Sequence, residues 1–551
     1  MLNNFFSSQT KTVTFAAAIL GLSALFSRLL GLIRDRLLAG NFGAGEELDI
    51  YFAAFRIPDF VYGILIMGGI AAVFLPVFSE YYKKNENDAW RFVSNLLNTF
   101  LFLLILLCSV LALLTPFLID LIAPGFSPEK KDLAIDLTRI MFLSPILFGL
   151  SSLFSGILHY FNRFLAYSLA PILYNLGIIF GILFLVPIFG LPGLAYGVIL
   201  GAAAHWLFQI PAAIVSGYKY KPVFNFRSPG IAKVFKLMIP RTVGAAAYHL
   251  NLIVITAIAS TLTVGSIAIF NFSNNLQYFP IGIIGASFAI AAFPGLCRTW
   301  AAGLKEEFSK TFSSTFRQIL FLIIPISLLT FILRAQIVRT ILGTGEFGWS
   351  ETRLTAACLG LFCFGIFAAA FIPFLARVFY SFQDTKTPVI IGLISMLLNV
   401  ALSLLFVSLL NYSNAFQEFM INILKLEGIG KVSVVGLPLA LSISGIFQFF
   451  LLLCFLKKKI VYLSLKEIWQ SAGRVFLASI LMIGATFFAL RLGNMFLDTN
   501  TFLGIFFQAV IAGTIGIVAY FIFHFFLRSP ELRIIKYSFL KQFNKTDEKH
   551  S

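Results

Sequence analysis

FSRLLGLIRDRLLAGNFGAGEELDIYFAAFRIPDF, residues 26–60, places Arg28, Arg34, Arg36 and Arg56, with Asp35, Asp49 and Asp59, inside a strongly apolar sequence. At the middle of a lipid-facing helix an Arg or Asp costs about 2.5–3.5 kcal/mol. Several such charges at membrane depth need water, a counter-ion or an anionic ligand. The stretch therefore implies a polar cavity inside a helix bundle.

The rest of the chain identifies the solvent. Of 551 residues, 59% are hydrophobic and 12% charged, with 65 Phe, more apolar surface than a soluble domain of this length can cover. The solvent is lipid. Cys108, Cys297, Cys358, Cys363 and Cys454 lie in or beside apolar runs, without metal-ligand or redox spacing, and read as small core residues. The basic residues behind the net charge of +17 fall between hydrophobic spans, which fits membrane topology and speaks against nucleic acid. Lys11 precedes an apolar run, as in a signal peptide. That run continues past Gly21 with no small-residue cleavage site and reads as a retained first span.

With about 20 apolar residues per crossing, fourteen spans are expected, making an all-α integral membrane protein. The first seven are 13–33, 48–80, 92–118, 134–160, 165–187, 191–216 and 232–262. The second seven are 266–297, 312–334, 353–381, 387–410, 433–456, 472–493 and 502–527. The second is over-long: 33 helical residues reach ~50 Å against a hydrocarbon core of ~30 Å. Pro58 and Pro76 are kink candidates there, and Pro240, Pro280, Pro294, Pro325 and Pro373 in later spans. The bland alternative is that Pro is frequent in membrane helices generally.

Alternate connections hold the basic residues, among them Lys83, Lys84, Arg91, Lys219–Lys236, Lys457–Lys459 and the tail after Arg528, whereas residues 186–193 and 260–266 carry none. The positive-inside rule puts both termini in the cytoplasm. Residues 238–260 and 265–282 weakly echo the first span pair, suggesting related six-span halves with a substrate site between them. The expected organisation is an N-lobe at 1–218, a C-lobe at 219–459, a final pair at 460–527 and a basic cytoplasmic tail at 528–551.

SRLLGLIRD (27–35), FGAGEELDIYFAAFRIPD (42–59), APGF (123–126), TRIMFLSPILFGLSSLFSGILHYFNRFLAYSLAPILYN (138–175), GLAYGVILGAAAHWLFQIP (193–211), FYSFQDTKTP (379–388) and VVGLPLALSISG (434–445) occur in the order found in one family. In these motifs the chain resembles the MurJ (MviN) lipid II flippases of the MOP exporter superfamily. The resemblance implies a V-shaped exporter that moves an undecaprenyl-diphosphate-linked peptidoglycan precursor to the outer leaflet. Cell-wall synthesis machinery is an implied partner besides the lipid cargo and membrane lipids. The chain departs from the family where charged positions fall on Tyr62, Met67 and Asn275.

Ser27, Gly31 and Arg34 are spaced i, i+4, i+7 and share a helix face, with Arg28 about 100° round. Arg28 and Arg34 could hold a diphosphate by two-point hydrogen bonds, or snorkel to the interface. The resemblance favours the first. Arg56, flanked by apolar residues, joins this candidate diphosphate set. Asp49 is either a breakable gate with an arginine of the first span or a solvated acid at a helix start. Arg241 could supply cationic density missing at Asn275, or extend the Lys233 and Lys236 cluster as a snorkelling residue. His159, His205 and His249 stand alone and suit core hydrogen bonding, while Asn175, Asn251, Asn271, Asn399 and Gln209 could contact an ion or headgroup but more often join helices.

No GxxxxGK[ST], HExxH or GxSxG segment occurs, and GTGEFG (343–348) lacks the strand and helix of a nucleotide loop, so no enzyme is expected. The expected function is a lipid II flippase working by alternating access, without cofactor, driven by membrane potential or an ion gradient. The alternatives are an exporter of another polyprenyl-diphosphate glycan of O-antigen type, a cation-coupled drug exporter, and a silent scaffold for cell-wall assembly.

Overall fold

The computed structural model describes residues 13–64, 70–460 and 465–533, without the side chains of 13–18, 71–72, 239–241, 243–245 and 465. Every regular element among the described residues is helical. The order opens with α1 (Val13–Phe42), α2 (Glu46–Val61), α3 (Ala71–Lys84), α4 (Glu86–Ile122), α5 (Pro128–Met141), α6 (Leu143–Tyr160) and α7 (Phe164–Phe180). It continues with α8 (Val186–Phe189), α9 (Pro192–Leu207), α10 (Ile210–Val215), α11 (Pro229–Ser260), α12 (Ser266–Pro280), α13 (Ala286–Ala301) and α14 (Lys305–Ile332). The last seven are α15 (Arg334–Ile341), α16 (Trp349–Ser381), α17 (Lys386–Asn411), α18 (Ala415–Leu424), α19 (Gly436–Lys459), α20 (Leu465–Phe496) and α21 (Phe502–Phe526).

Eleven helical stretches among the described residues are long and apolar enough to cross a membrane. The three expected spans outside that set, 13–33, 48–80 and 232–262, are the ones carrying Arg28, Arg56 and Arg241. Their segments are helical as α1, α2 with α3, and α11. Each of the three includes positions outside the described side chains, and within the third Ala246–Ser260 is a shorter apolar helix.

The over-long second span is divided: α2 ends at Val61 and wide π-type turns follow at residues 62–64. Pro58 has no N–H for the carbonyl of Ala54. The Thr138 hydroxyl of α5 lies 3.2 Å from that carbonyl and 2.7 Å from Ala134 O, so one proton serves two acceptors. Further π-type segments are Gly181–Leu185, directly after α7, and Ile281–Gly285, directly after Pro280. Pro294, Pro325 and Pro373 stay inside unbroken helices.

Packing contacts divide the chain into two compact units, Met1–Ala268 with Thr344–Phe347, and Ile269–Gly343 with Gly348–Ser551. In the first, α1 packs on α7, α2 on α5, and α11 on α2, α3 and α4. Its aromatic core gathers Phe74, Phe78, Trp90, Phe92 and Phe154. Close backbone approach joins α7 and the π segment after it to α9. A Cβ on Gly177 would stand 2.3 Å from Gly201 Cα, and one on Gly181 2.6 Å from Gly197 Cα. Small residues four apart permit such contact between membrane helices. In the second unit, α16 packs on α19 and α14, α17 on α19, and α20 on α21 and α14.

Candidate functional site

On α1 the face expected from the i, i+4, i+7 spacing is occupied by one partner, Asn175 of α7. Its amide donates to the Ser27 carbonyl and hydroxyl, both at 3.2 Å, and its Oδ1 accepts from Arg34 Nη1 at 3.3 Å. Gly31 lies between, where a Cβ would meet Asn175 Oδ1 at 3.9 Å. Ser23, one turn earlier, meets Ser168 of α7 at 3.2 Å. The structure thus brings Ser27, Gly31 and Arg34 together around a single amide. Arg28 is half-buried and lies off this face.

Arg34 has a second partner. Its Nε and Nη2 both donate to Asp35 Oδ1, at 3.0 and 2.8 Å, and the Asp35 side chain is only 6% exposed. One guanidinium edge therefore holds a carboxylate oxygen and its opposite nitrogen an amide. This arrangement can pass an anion a two-point contact only by exchange with Asp35.

On α2 the two charged positions face different neighbours. Arg56 is buried and its Nε donates to Thr256 Oγ1 of α11 at 2.7 Å, the hydroxyl in turn donating to Leu252 O at 2.8 Å. Asp49 accepts from the backbone N–H of Gly265 at 2.7 Å and of Ala268 at 2.9 Å. It supplies from another helix the acceptor that the first turn of α12 lacks within its own helix. Gly265 is needed there: its φ is +87° and a Cβ would stand 2.0 Å from Ala44 O. In this structure Asp49 serves as a cap, and its gate role stays a proposal. Asn275 is half-buried on α12. Arg241 lies on α11 with its side chain outside the described residues, and Met67 also falls outside them.

Three participants were not among the expected site residues: Asn175, weighed between headgroup contact and interhelical glue, with Thr256 and Asp35. Asp35 was visible, adjacent to Arg34. Thr256 carries no local signal, because its role arises from packing α11 on α2. Among the described residues no group of three or more His, Cys, Asp or Glu is placed to hold a metal ion.

Buried arginines and acids with hydrogen-bonding partners, set in long apolar helices, define a multi-pass membrane protein with polar sites inside its helical packing. The chain belongs to the family described as lipid II flippase MurJ, whose family model matches residues 38–510. A probable lipid II flippase MurJ of Vibrio cholerae is 30% identical over 491 residues, 86% of this chain and 89% of the relative. One of Buchnera aphidicola is 33% identical over 383 residues, 69% and 75% of the two chains. A solved structure described as lipid II flippase MurJ, inward closed conformation, is 25% identical with a TM-score of 0.73, covering 93% of this chain and 99% of that one. An inward-facing MATE family multidrug transporter of the MOP superfamily shares the fold alone, at 14% identity and a TM-score of 0.61, over 79% of this chain and 95% of its own.

Proposed function

We propose that this chain carries lipid II, the undecaprenyl-diphosphate-linked peptidoglycan precursor, from the inner to the outer leaflet of the bacterial cytoplasmic membrane by alternating access. The observation that carries the reading is membership of the flippase family over residues 38–510. The α1 face lies before the matched residues, so the roles of Arg28 and Arg34 rest on their own chemistry. Arg28, Arg34 and Arg56 form the diphosphate-binding set, with Ser27, Gly31, Asp49, Arg241 and Asn275 as gate or cavity positions. Fourteen spans, both termini cytoplasmic, complete the proposed topology, in lobes 1–218 and 219–459, a pair at 460–527 and a tail at 528–551.

Lipid II would enter with its diphosphate toward the arginines while its polyprenyl chain stays in lipid. Exchange of Asp35 for the diphosphate on Arg34 gives the differential affinity that a ligand needs to shift a conformational equilibrium. The chain has no P-loop motif, and moving one charge through 100 mV supplies ~2.3 kcal/mol, so membrane potential or an ion gradient is the proposed energy source.

The test is vesicle flipping of lipid II, with complementation of a flippase-depleted strain, for Arg28→Ala, Arg28→Lys and Arg34→Lys. Alanine is expected to abolish transport at near-normal membrane level and lysine to restore it in part, since an ammonium keeps the charge but not the planar fork. Full activity of Arg28→Ala and both lysine variants refutes the arginine assignment. The neutral Asn275 favours one second reading, another polyprenyl-diphosphate glycan as cargo. Failure to complement despite good expression, with flipping of such a glycan, selects it.

A further inference from the structure

The second unit contains a cavity that the transport reading does not use. It measures about 320 Å3 and is walled by α15, the start of α16, the end of α18, and the ends of α20 and α21 that face each other across residues 497–501. That volume suits a small ligand rather than a single water. The cavity lies at the end of the unit where α14 finishes and α16 begins. The opposite end of α16 carries the ion pair of Asp384 with Lys459, beside the lysines that mark the cytoplasmic side under the positive-inside rule.

Basic residues should be sparse at the cavity end, yet Arg334, Arg339, Arg353 and Lys425 all line it. Arg353 is held by Lys425 O, by Glu427 O at 3.1 Å and by the Glu427 carboxylate at 3.6 Å. Among the described residues Arg334, Arg339 and Lys425 form no ion pair. Arg334 stacks over Phe331 at 4.7 Å and Arg339 over Trp349 at 5.2 Å, contacts that fix each guanidinium plane while leaving its charge unmatched. Four cations thus surround a space served by one carboxylate.

The polar floor is an amide chain. Gln336 donates to Gln508 at 3.5 Å, and Gln508 donates to Asn494 at 2.6 Å and to Leu490 O at 3.2 Å. Gln336 Oε1 is buried with no donor among the described residues. What faces the cavity is the set of unmatched cations, and these ask for an anion. Trp349 in its wall is 61% exposed, and on α18, whose end contributes Leu424 to the wall, Phe419 and Ile423 are 56% and 55% exposed. Their apolar surface suits acyl chains, and a Trp suits the headgroup level of a bilayer.

We propose that this cavity binds the phosphate of an anionic membrane lipid, with Arg334, Arg339 and Lys425 on the phosphate. The proposal does not rest on the transport reading. Two lipids share this chemistry: an anionic glycerophospholipid, and a polyprenyl-diphosphate lipid.

Native mass spectrometry of the full chain in detergent, titrated separately with phosphatidylglycerol, phosphatidylcholine and undecaprenyl diphosphate, tests it. At equal concentration phosphatidylglycerol is expected to occupy at least threefold more protein than phosphatidylcholine. Arg339→Gln with Lys425→Gln is expected to reduce that ratio to about one without lowering the melting temperature by more than a few degrees. Arg334→Gln, on the same wall, gives the readout if the double variant is lost from the membrane. Arginine dependence confined to undecaprenyl diphosphate supports the phosphate site and assigns it to the polyprenyl class. Equal retention of both phospholipids by wild type with no arginine dependence for either anionic lipid, or unchanged retention by every variant, overturns the proposal.

Discussion

Arg34 and Asp35 are neighbours in sequence and partners in space, and this changes what a substitution at Arg34 measures. Removing one member of a buried ion pair leaves the other charge without compensation, at a cost of up to about 3 kcal/mol for a partly exposed pair. Arg34→Ala is therefore expected to lower membrane level and thermal stability as well as transport. Arg34→Ala with Asp35→Asn should recover level and melting temperature while transport stays lost, as fluorescence-detected unfolding and vesicle flipping would read separately. Recovery of transport in the double variant would remove Arg34 from the substrate site. Asp49 makes a similar argument through the backbone. Asp49→Ala leaves the buried N–H groups of Gly265 and Ala268 without their acceptor and is expected to destabilise by about 1–3 kcal/mol in denaturant unfolding. The spacing of Ser27, Gly31 and Arg34 made their common face legible in the sequence. Their partner was not, because Asn175 sits 141 residues from Arg34. The partners of Asp49 were hidden for another reason: a backbone N–H has no side-chain signature.

At the level of helices, the approach of α7 and its π extension to α9 depends on absent side chains. Gly177→Ala introduces a Cβ 2.3 Å from the Gly201 backbone, so the helices must separate. A loss of about 1–3 kcal/mol is expected for this overpacking, read as a lowered melting temperature in detergent. Gly445→Ala, with open space at its Cβ position, serves as the control and should leave the melting temperature unchanged. Gly177 with Gly181, and Gly193, Gly197 and Gly201, repeat at intervals of four in plain view of the sequence. The hydropathy pattern located these helices, while the glycine spacing marks a small-residue face without naming its partner. Helix breaks were less legible. Pro280 marks one and Pro325 does not, because a proline's missing hydrogen bond can be absorbed by local packing, as the Tyr520 hydroxyl does by donating to Phe321 O, four residues before Pro325.

For the whole molecule, composition declared a helical membrane protein, and the motifs gave the family. The proposed span count rests on apolar run length and the proposed sidedness on loop charge, and labelling checks the sidedness. In a background without the five native cysteines, Arg227→Cys is expected to react from the cytoplasmic side and Val264→Cys, 52% exposed, from outside. The reverse pattern would invert the topology. The end of the second unit that carries Asp384 has its own pH signature. Burial raises the Asp384 carboxyl, but hydrogen bonds from Lys459 and Thr387, with the Lys459 charge, outweigh this and hold it at about 2. A depressed carboxylate stabilises fully above its unfolded value near 3.9. That contribution is lost as pH falls from about 4 through 2. The melting-temperature difference between wild type and Asp384→Asn should be constant from pH 7 to 5 and vanish toward pH 2. The cap from Asp49 to Gly265 bears on a different timescale. The two residues lie 216 positions apart, and synthesis at about 5–20 residues per second separates their emergence by on the order of 10–40 s. Through that interval the carboxylate must be kept hydrated while helices around it are already entering the bilayer. Its place in the first turn of α2, rather than deeper, lets water hold it until the chain delivers the latch.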